Sequence, residues 1–150
     1  MADLCWVTDF CGLNKLIKHK VYTLPKIQDI LNRRLGYTYF TKLDISMQYY
    51  AFELDDASKE LVCTICTPFG NYRNRLAIGI NQSPDIAQEI MEDHFRQLDE
   101  VDVYIDDVGV YNDSWEQHLS SLTKVLTILQ DSNFTVNPLK CKWGVQEAKG

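Results

Sequence analysis

The sequence is short of basic residues: fifteen lysines and arginines stand against twenty-one aspartates and glutamates, a net charge of -6. That deficit counts against a free-standing nucleic-acid binder, which usually carries a basic field for phosphate. It does not exclude one, because divalent metals can bridge an acidic site to a phosphate. Apolar runs near the ~20 residues that a membrane span needs are absent. Met1 to Phe10 lacks the basic start and long apolar stretch of a signal peptide. A soluble, intracellular chain with no membrane partner is expected. There is no internal repeat, low-complexity tract or Pro/Gly/Ser-rich linker, so the 150 residues read as one continuous domain. Cysteine is present but odd in number: Cys5, Cys11, Cys63, Cys66 and Cys141 argue against a disulfide framework. Cys63 and Cys66 have zinc-like spacing, yet no second pair exists and they sit in the apolar stretch Leu61 to Thr67, which favours two strand residues. His19, His94 and His118 are too scattered to suggest a ligand cluster.

What is present is enough apolar residue, 45%, to build a core, and a clear sequence of elements. Residues 1–23 read as strand and loop. Leu24-Pro25 opens a helix whose apolar face is Ile27, Ile30, Leu31 and Leu35, with Arg33 and Arg34 at its negative pole and Gly36 as its stop. Tyr39 to Ile45 reads as a strand carrying Asp44 near its end; Tyr50 to Leu54 and Leu61 to Thr67 read as two more. Phe69-Gly70-Asn71 is a turn, and Tyr72 to Leu76 a short strand. Ser83-Pro84-Asp85 starts a helix with Ile86, Ile90, Met91, Phe95 and Leu98 inward. Val101 to Ile105 and Val108 to Tyr111 flank Asp106-Asp107 as a hairpin with a two-residue turn. Ser114 and Gln117 form a capping box for a helix with His118, Leu119, Leu122, Val125, Leu126 and Leu129 on one face. Phe134 to Val136 is a short strand before the Asn137-Pro138 break. Helices mixed with a mostly antiparallel sheet make the fold class α+β.

Two features depart from the core pattern. Asp106 and Asp107 are adjacent carboxylates at a tight turn; held together they gain proton affinity unless a cation offsets the repulsion. Magnesium, bound by oxygen ligands, does so. Asp44 ends an apolar strand, and if that strand lies beside the hairpin three carboxylates converge on one sheet edge. Such a set can hold two magnesium ions roughly 3.5–4 Å apart, the arrangement of nucleotidyl transfer. An Asp-Asp hairpin by itself is ordinary turn chemistry; the surrounding motifs give it value.

Those motifs are Phe40-Thr-Lys-Leu-Asp-Ile-Ser-Met-Gln-Tyr-Tyr50, Thr67-Pro-Phe-Gly70, Gly79-Ile-Asn-Gln-Ser-Pro84 with Gln88, Tyr104-Ile-Asp-Asp107 and Asn137-Pro-Leu-Lys-Cys141. In this order and over almost the whole chain they resemble the reverse transcriptases of gypsy-type LTR retrotransposons. The resemblance implies a polymerase palm, a ferredoxin-like antiparallel sheet with helices on one face, with part of the fingers and no thumb. Residues 1–38 and 60–82 would be the fingers remnant, and 39–59 and 83–150 the palm. It implies an RNA-directed DNA polymerase that joins dNTPs to a primer 3′-hydroxyl on an RNA or DNA template, using two Mg2+ ions or Mn2+. Asp44 and Asp106 would hold the metals, with Asp107 assisting. Tyr49 would be the steric gate beneath the sugar. Gly79 would let the backbone approach the nucleotide, and Gln88 would reach toward template or nucleotide. Lys140 would act as general acid on the departing pyrophosphate. The same resemblance implies a cytoplasmic setting, with a virus-like particle as one context. It also implies further polyprotein parts (thumb, RNase H, integrase) that are expected beyond these residues, Gly150 falling just short of the primer-grip hairpin.

The pattern also fails in places. Counting from Asp9, the two arginines of the fingers motif are replaced by Cys5 and Cys11. A thiol cannot offer the planar donor fork of arginine, and losing one charge-assisted phosphate contact costs about 2–3 kcal/mol of nucleotide binding. Asn71 to Leu76 is one residue shorter than the usual run, and Ala77 stands where proline is usual. The polymerase reading therefore expects a truncated chain that is weak or inactive alone. The alternative reading is a non-catalytic, degenerate retroelement remnant that at most binds nucleic acid weakly. A different palm-fold nucleotidyl transferase or cyclase is a third.

Overall fold

The structure is a computed structural model that describes residues 9–18, 22–46, 52–56, 64–73, 76 and 79–146. Its elements are α1 (Cys11–Asn14), α2 (Ile27–Arg33), β1 (Tyr39–Ser46), β2 (Thr64–Thr67), β3 (Gly70–Arg73), α3 (Ser83–Phe95), β4 (Val101–Tyr104), β5 (Asp107–Asn112), α4 (Trp115–Asp131), β6 (Thr135–Val136) and β7 (Lys142–Gln146).

β1 organises the main sheet. It pairs antiparallel with β5 along one edge, and with β7 and then β6 along the other, while β4 lies outside β5. Side chains alternate across a strand, and β1 obeys this: Thr41, Leu43 and Ile45 are buried, while Lys42, Asp44 and Ser46 are only half-buried. Val101 and Val103 of β4 and Val108 and Val110 of β5 join the buried side. Against that side pack Met91 and Phe95 of α3 and Val125 and Leu129 of α4, forming one core. Leu43, Met91, Val108, Val110 and Val125 are wholly inaccessible, and burying each such side chain is worth about 1.5–3 kcal/mol. With its helices on one face, the sheet leaves Lys42, Asp44 and Asp107 on the other. β2 and β3 form a separate two-stranded hairpin.

The second helix of that core begins as its sequence predicts. Ser114 has extended backbone, and its hydroxyl accepts from the Gln117 amide at 3.3 Å. α3 differs from expectation. Its cap residue is Gln82 rather than Ser83, with Pro84 in the first turn and no side-chain cap bond. Its buried stripe is Ser83, Ala87, Gln88, Met91 and Phe95, while Ile86 and Ile90 are half-buried. The helix is thus rotated by about one residue from the phase its bulkiest apolar residues suggest.

Smaller corrections follow the same logic of local signal against packing. Cys11–Asn14 forms a helical turn where strand and loop were expected. Residues 52–54 are not in a strand, although Leu76 donates its amide to the Phe52 carbonyl at 3.1 Å. β3 begins at Gly70, directly after the turn Pro68–Phe69. Leu35, placed on the apolar face of α2, is 81% exposed because the helix ends at Arg33 and Gly36 then turns left-handed. Leu119 and Leu126 of α4 are exposed, whereas Ser121 is buried. Cys66 lies in β2, as a strand residue; Cys63 falls outside the described residues.

Candidate functional site

The acidic residues meet because of strand register. Asp44 of β1 is the direct partner of Asp107 of β5, and the next amide along β1, Ile45, donates to the Asp106 carbonyl at 2.8 Å. The backbone of Asp44 is latched on its other side. Its amide donates to Cys141 Sγ at 3.4 Å, its carbonyl accepts from the Asn137 amide at 2.9 Å, and Cys141 Sγ donates to the Asn137 carbonyl at 3.1 Å. The Asn137–Cys141 motif is therefore folded against the acid-bearing strand, and its turn carries the exposed Lys140.

The hairpin differs by one residue from its expected form. Tyr104 pairs with Asp107, so the turn residues are Ile105 and Asp106, and Asp107 is the first residue of β5. Ile105 has φ of 53°, a left-handed conformation that a β-branched residue avoids. What holds it there is Gln88. The Gln88 side chain, wholly buried, accepts from the Ile105 amide at 2.7 Å through Oε1 and donates through Nε2 to the Val103 carbonyl at 2.8 Å and to Glu92 Oε1 at 2.7 Å. Every polar position of the amide except one lone pair is engaged. Gln88 is thus neither solvated nor free to reach a template or nucleotide: it braces the turn that presents Asp106.

The electrostatics follow from this geometry. Burial holds the Asp106 carboxyl above the ordinary carboxylate range; the neighbouring Asp107 and Asp44 charges raise it further, and Lys140 opposes them. Asp107 is partly neutralised, its Oδ2 lying 2.8 Å from Lys42 Nζ. Lys42 is two residues before Asp44 on the same strand face, a relation visible in the sequence but given no role there. Oxygen donors of this kind suit a hard divalent ion. Asp44, Asp106 and Asp107 would be its ligands, with Asp107 exchanging Lys42 for the ion. Among the described residues no three His, Cys, Asp or Glu side chains are already close enough together to enclose one.

Tyr49 and Cys5 fall outside the described residues, as does Ala77. Gly79 is exposed with φ of 103°, a conformation favouring glycine. The side-chain amide of Asn14 clamps this turn, donating to the Gly79 carbonyl and accepting from the Asn81 amide, both at 2.9 Å. Phe10 and Ile80 are buried together beneath it. Cys11 is an exposed free thiol; its hydrogen bond to Asp9 and the Asp9 charge hold its proton more tightly than usual.

The candidate acids thus lie at the end of the central strand and at the neighbouring hairpin of an antiparallel sheet whose helices cover one face. A family model described as "Reverse transcriptase (RNA-dependent DNA polymerase)" matches residues 5–149. The chain belongs to the reverse transcriptase family. It is 33% identical over 137 residues to the "Enzymatic polyprotein" of Cestrum yellow leaf curling virus, covering 89% of this chain and 21% of that protein. It is 30% identical over 144 residues to the "Retrovirus-related Pol polyprotein from transposon 412" of Drosophila melanogaster, covering 94% of this chain and 12% of the relative. The chain thus spans about a fifth or less of the length of these relatives. Among solved structures, a foamy viral protease-reverse transcriptase in complex with double-stranded DNA superposes with a TM-score of 0.83 at 21% identity, over 96% of this chain and 25% of that one. The same viral protein in complex with an RNA/DNA hybrid gives 0.79 at 21% identity, over 90% of this chain and 18% of that one. These likenesses establish the fold. Reverse transcriptases generally use a divalent metal ion, magnesium. None of the helices among the described residues is long and apolar enough to cross a membrane.

Proposed function

We propose that this chain is the fingers-and-palm part of the reverse transcriptase of a gypsy-type LTR retrotransposon, joining dNTPs to a primer 3′-hydroxyl on an RNA or DNA template. Residues 1–38 and 60–82 belong to the fingers, 39–59 and 83–150 to the palm. The observation that carries the reading is the register pairing of Asp44 with Asp107 beside Asp106. Two bound magnesium ions would lower the pKa of the attacking hydroxyl and stabilise the departing pyrophosphate. Asp44 and Asp106 hold the cations and Asp107 assists. Lys140, whose charge already reaches Asp106, supplies the proton to the leaving group. Gly79 leaves room for the nucleotide, and Tyr49 excludes a 2′-hydroxyl. The thumb, RNase H and integrase of a polyprotein complete the machine, in the cytoplasm or a virus-like particle.

Primer extension on an RNA template with magnesium tests this. Nucleotide addition that is abolished by Asp106→Asn is the expected outcome; addition that survives the substitution refutes it. A second reading, a non-catalytic remnant, is favoured by one observation. Cys11 is an exposed thiol held protonated by Asp9 at a position where the family carries arginine. Restoring arginine at Cys5 and Cys11 distinguishes the two, since a remnant stays inactive and a weakened polymerase gains activity.

A further inference from the structure

Behind Gln88 the hydrogen bonds continue outward. Glu92, one helical turn along α3, accepts from Gln88 Nε2 through Oε1, and its other oxygen, Oε2, accepts from the Tyr22 hydroxyl. Tyr22 belongs to the segment between α1 and α2, seventy residues from Glu92 in sequence. Both side chains are half-buried, and Glu92 also lines a cleft of about 420 Å3 together with Thr23, Arg33 and Arg34. A continuous chain therefore runs from the Tyr22 hydroxyl, through the Glu92 carboxylate and the Gln88 amide, to the Ile105 backbone N–H and the Val103 carbonyl.

The direction of each bond is fixed by chemistry. Burial and the adjoining Glu92 push the Tyr22 phenol up to about 12, so it remains a donor. A carboxylate accepts only. Glu92 can therefore receive only the nitrogen end of Gln88, which forces Oε1 toward Ile105. An inverted amide would place Oε1 against both the Glu92 carboxylate and the Val103 carbonyl, and its NH2 group against the Ile105 N–H. Without Glu92 the amide loses one of the two acceptors that orient it. Without the Tyr22 hydroxyl the carboxylate is free to turn toward the cleft.

We propose that Glu92 and Tyr22 are positioning residues for the catalytic hairpin: they set the orientation of Gln88, which holds Ile105 left-handed and so aims Asp106. The segment before α2 is thereby coupled to the acidic site without touching it. This deepens the functional reading above and rests on Asp106 as a metal-holding acid.

Hydrogen exchange at single amides and Mn2+ affinity by electron paramagnetic resonance test the proposal on the full chain. Tyr22→Phe is expected to speed exchange of the Ile105 amide about threefold and Glu92→Gln about tenfold, with Val108 and Val110 in the same hairpin unchanged. The double variant should match Glu92→Gln alone, because the hydroxyl acts only through the carboxylate. Mn2+ affinity should fall about twofold to fivefold in both single variants. Exchange at Ile105 that is unchanged in both variants, or that rises equally at Val108 and Val110, overturns the proposal. Tyr22→Phe leaves the core untouched, so a folding defect in Glu92→Gln would not obscure the answer. Asp106→Asn is the separate control: if it leaves Mn2+ affinity intact, the metal reading falls, while exchange at Ile105 still decides the positioning link.

Discussion

Acidification should weaken the fold through one histidine. His118 of α4 is completely buried. Its Nε2 lies 2.8 Å from Thr41 Oγ1, which also accepts the Gly144 amide at 2.9 Å. Its Nδ1 lies 2.8 Å from Asn112 Oδ1. The Asn112 amide then donates to Ser121 Oγ at 3.1 Å, and Ser121 donates to Glu100 at 2.7 Å. With Asn112 Oδ1 as its acceptor, Nδ1 carries the proton of the neutral ring and Nε2 accepts from the Thr41 hydroxyl; a second ring proton would displace that donor. Burial accordingly lowers the His118 pKa from its ordinary 6.5. As pH falls, the unfolded chain takes up this proton before the folded one, so the unfolded state binds more protons and stability declines. The contribution is intact above about pH 6.5 and is lost as pH falls from there toward the depressed folded value. The unfolded ring's own titration caps the loss at pH 5.5 at about 1.4 kcal/mol. Asp106 runs the opposite way, its raised pKa letting the folded state protonate first and gain stability in the carboxylate range. The Asp106 effect persists in a His118→Gln variant. Urea unfolding of both proteins at pH 7.5 and 5.5 therefore isolates the histidine. The natural chain should lose more than the variant, by at most about 1.4 kcal/mol; equal losses would refute the reasoning.

Three further outcomes follow from specific contacts. Lys42→Ala frees Asp107 from its ion pair, so Mn2+ titration should show binding tightened about threefold, while stability changes by under about 1 kcal/mol because the pair is partly exposed. Gly109→Ala would place a methyl 2.8 Å from the Tyr111 ring, which lies over the glycine and stacks on Phe40 at 4.8 Å. Displacing that ring should cost about 1–3 kcal/mol, read by thermal melting. Ser114→Ala removes the cap of α4 and should lower stability by about 1 kcal/mol in the same measurement.

The sheet and the acids were largely legible in the sequence. The alternation of Thr41, Leu43 and Ile45 sets which face of β1 is buried, and so leaves Asp44 on the other side; the valines of β4 and β5 do the same for the hairpin. Gln88 was not legible in its actual role. Ala87 is too small and Gln88 too polar to register in a hydrophobic pattern, so Ile86 and Ile90 set the apparent phase of α3, and the buried glutamine was assigned to the ligand side. The hairpin slipped by one residue because turn chemistry favours Asp-Asp over Ile-Asp, whereas the Gln88 bond to the Ile105 amide overrides that preference. β7 escaped because Lys142-Trp-Gly-Val-Gln146 is exposed at four of five positions and gives no buried alternation. The candidate metal ligands are legible as a triad of acids, but the pairing of Lys42 with Asp107 depends on side-chain approach across strands.

β1 bonds to three other strands, with β5 on one side and β6 and β7 on the other. A segment held from both sides opens only when its neighbours do, so it shares the free energy of whole-molecule unfolding instead of a cheap local fluctuation. Among the described residues, Asp44 therefore sits in a strand that opens only together with the sheet around it. Its carboxylate thus keeps its place beside the hairpin while peripheral loops fluctuate.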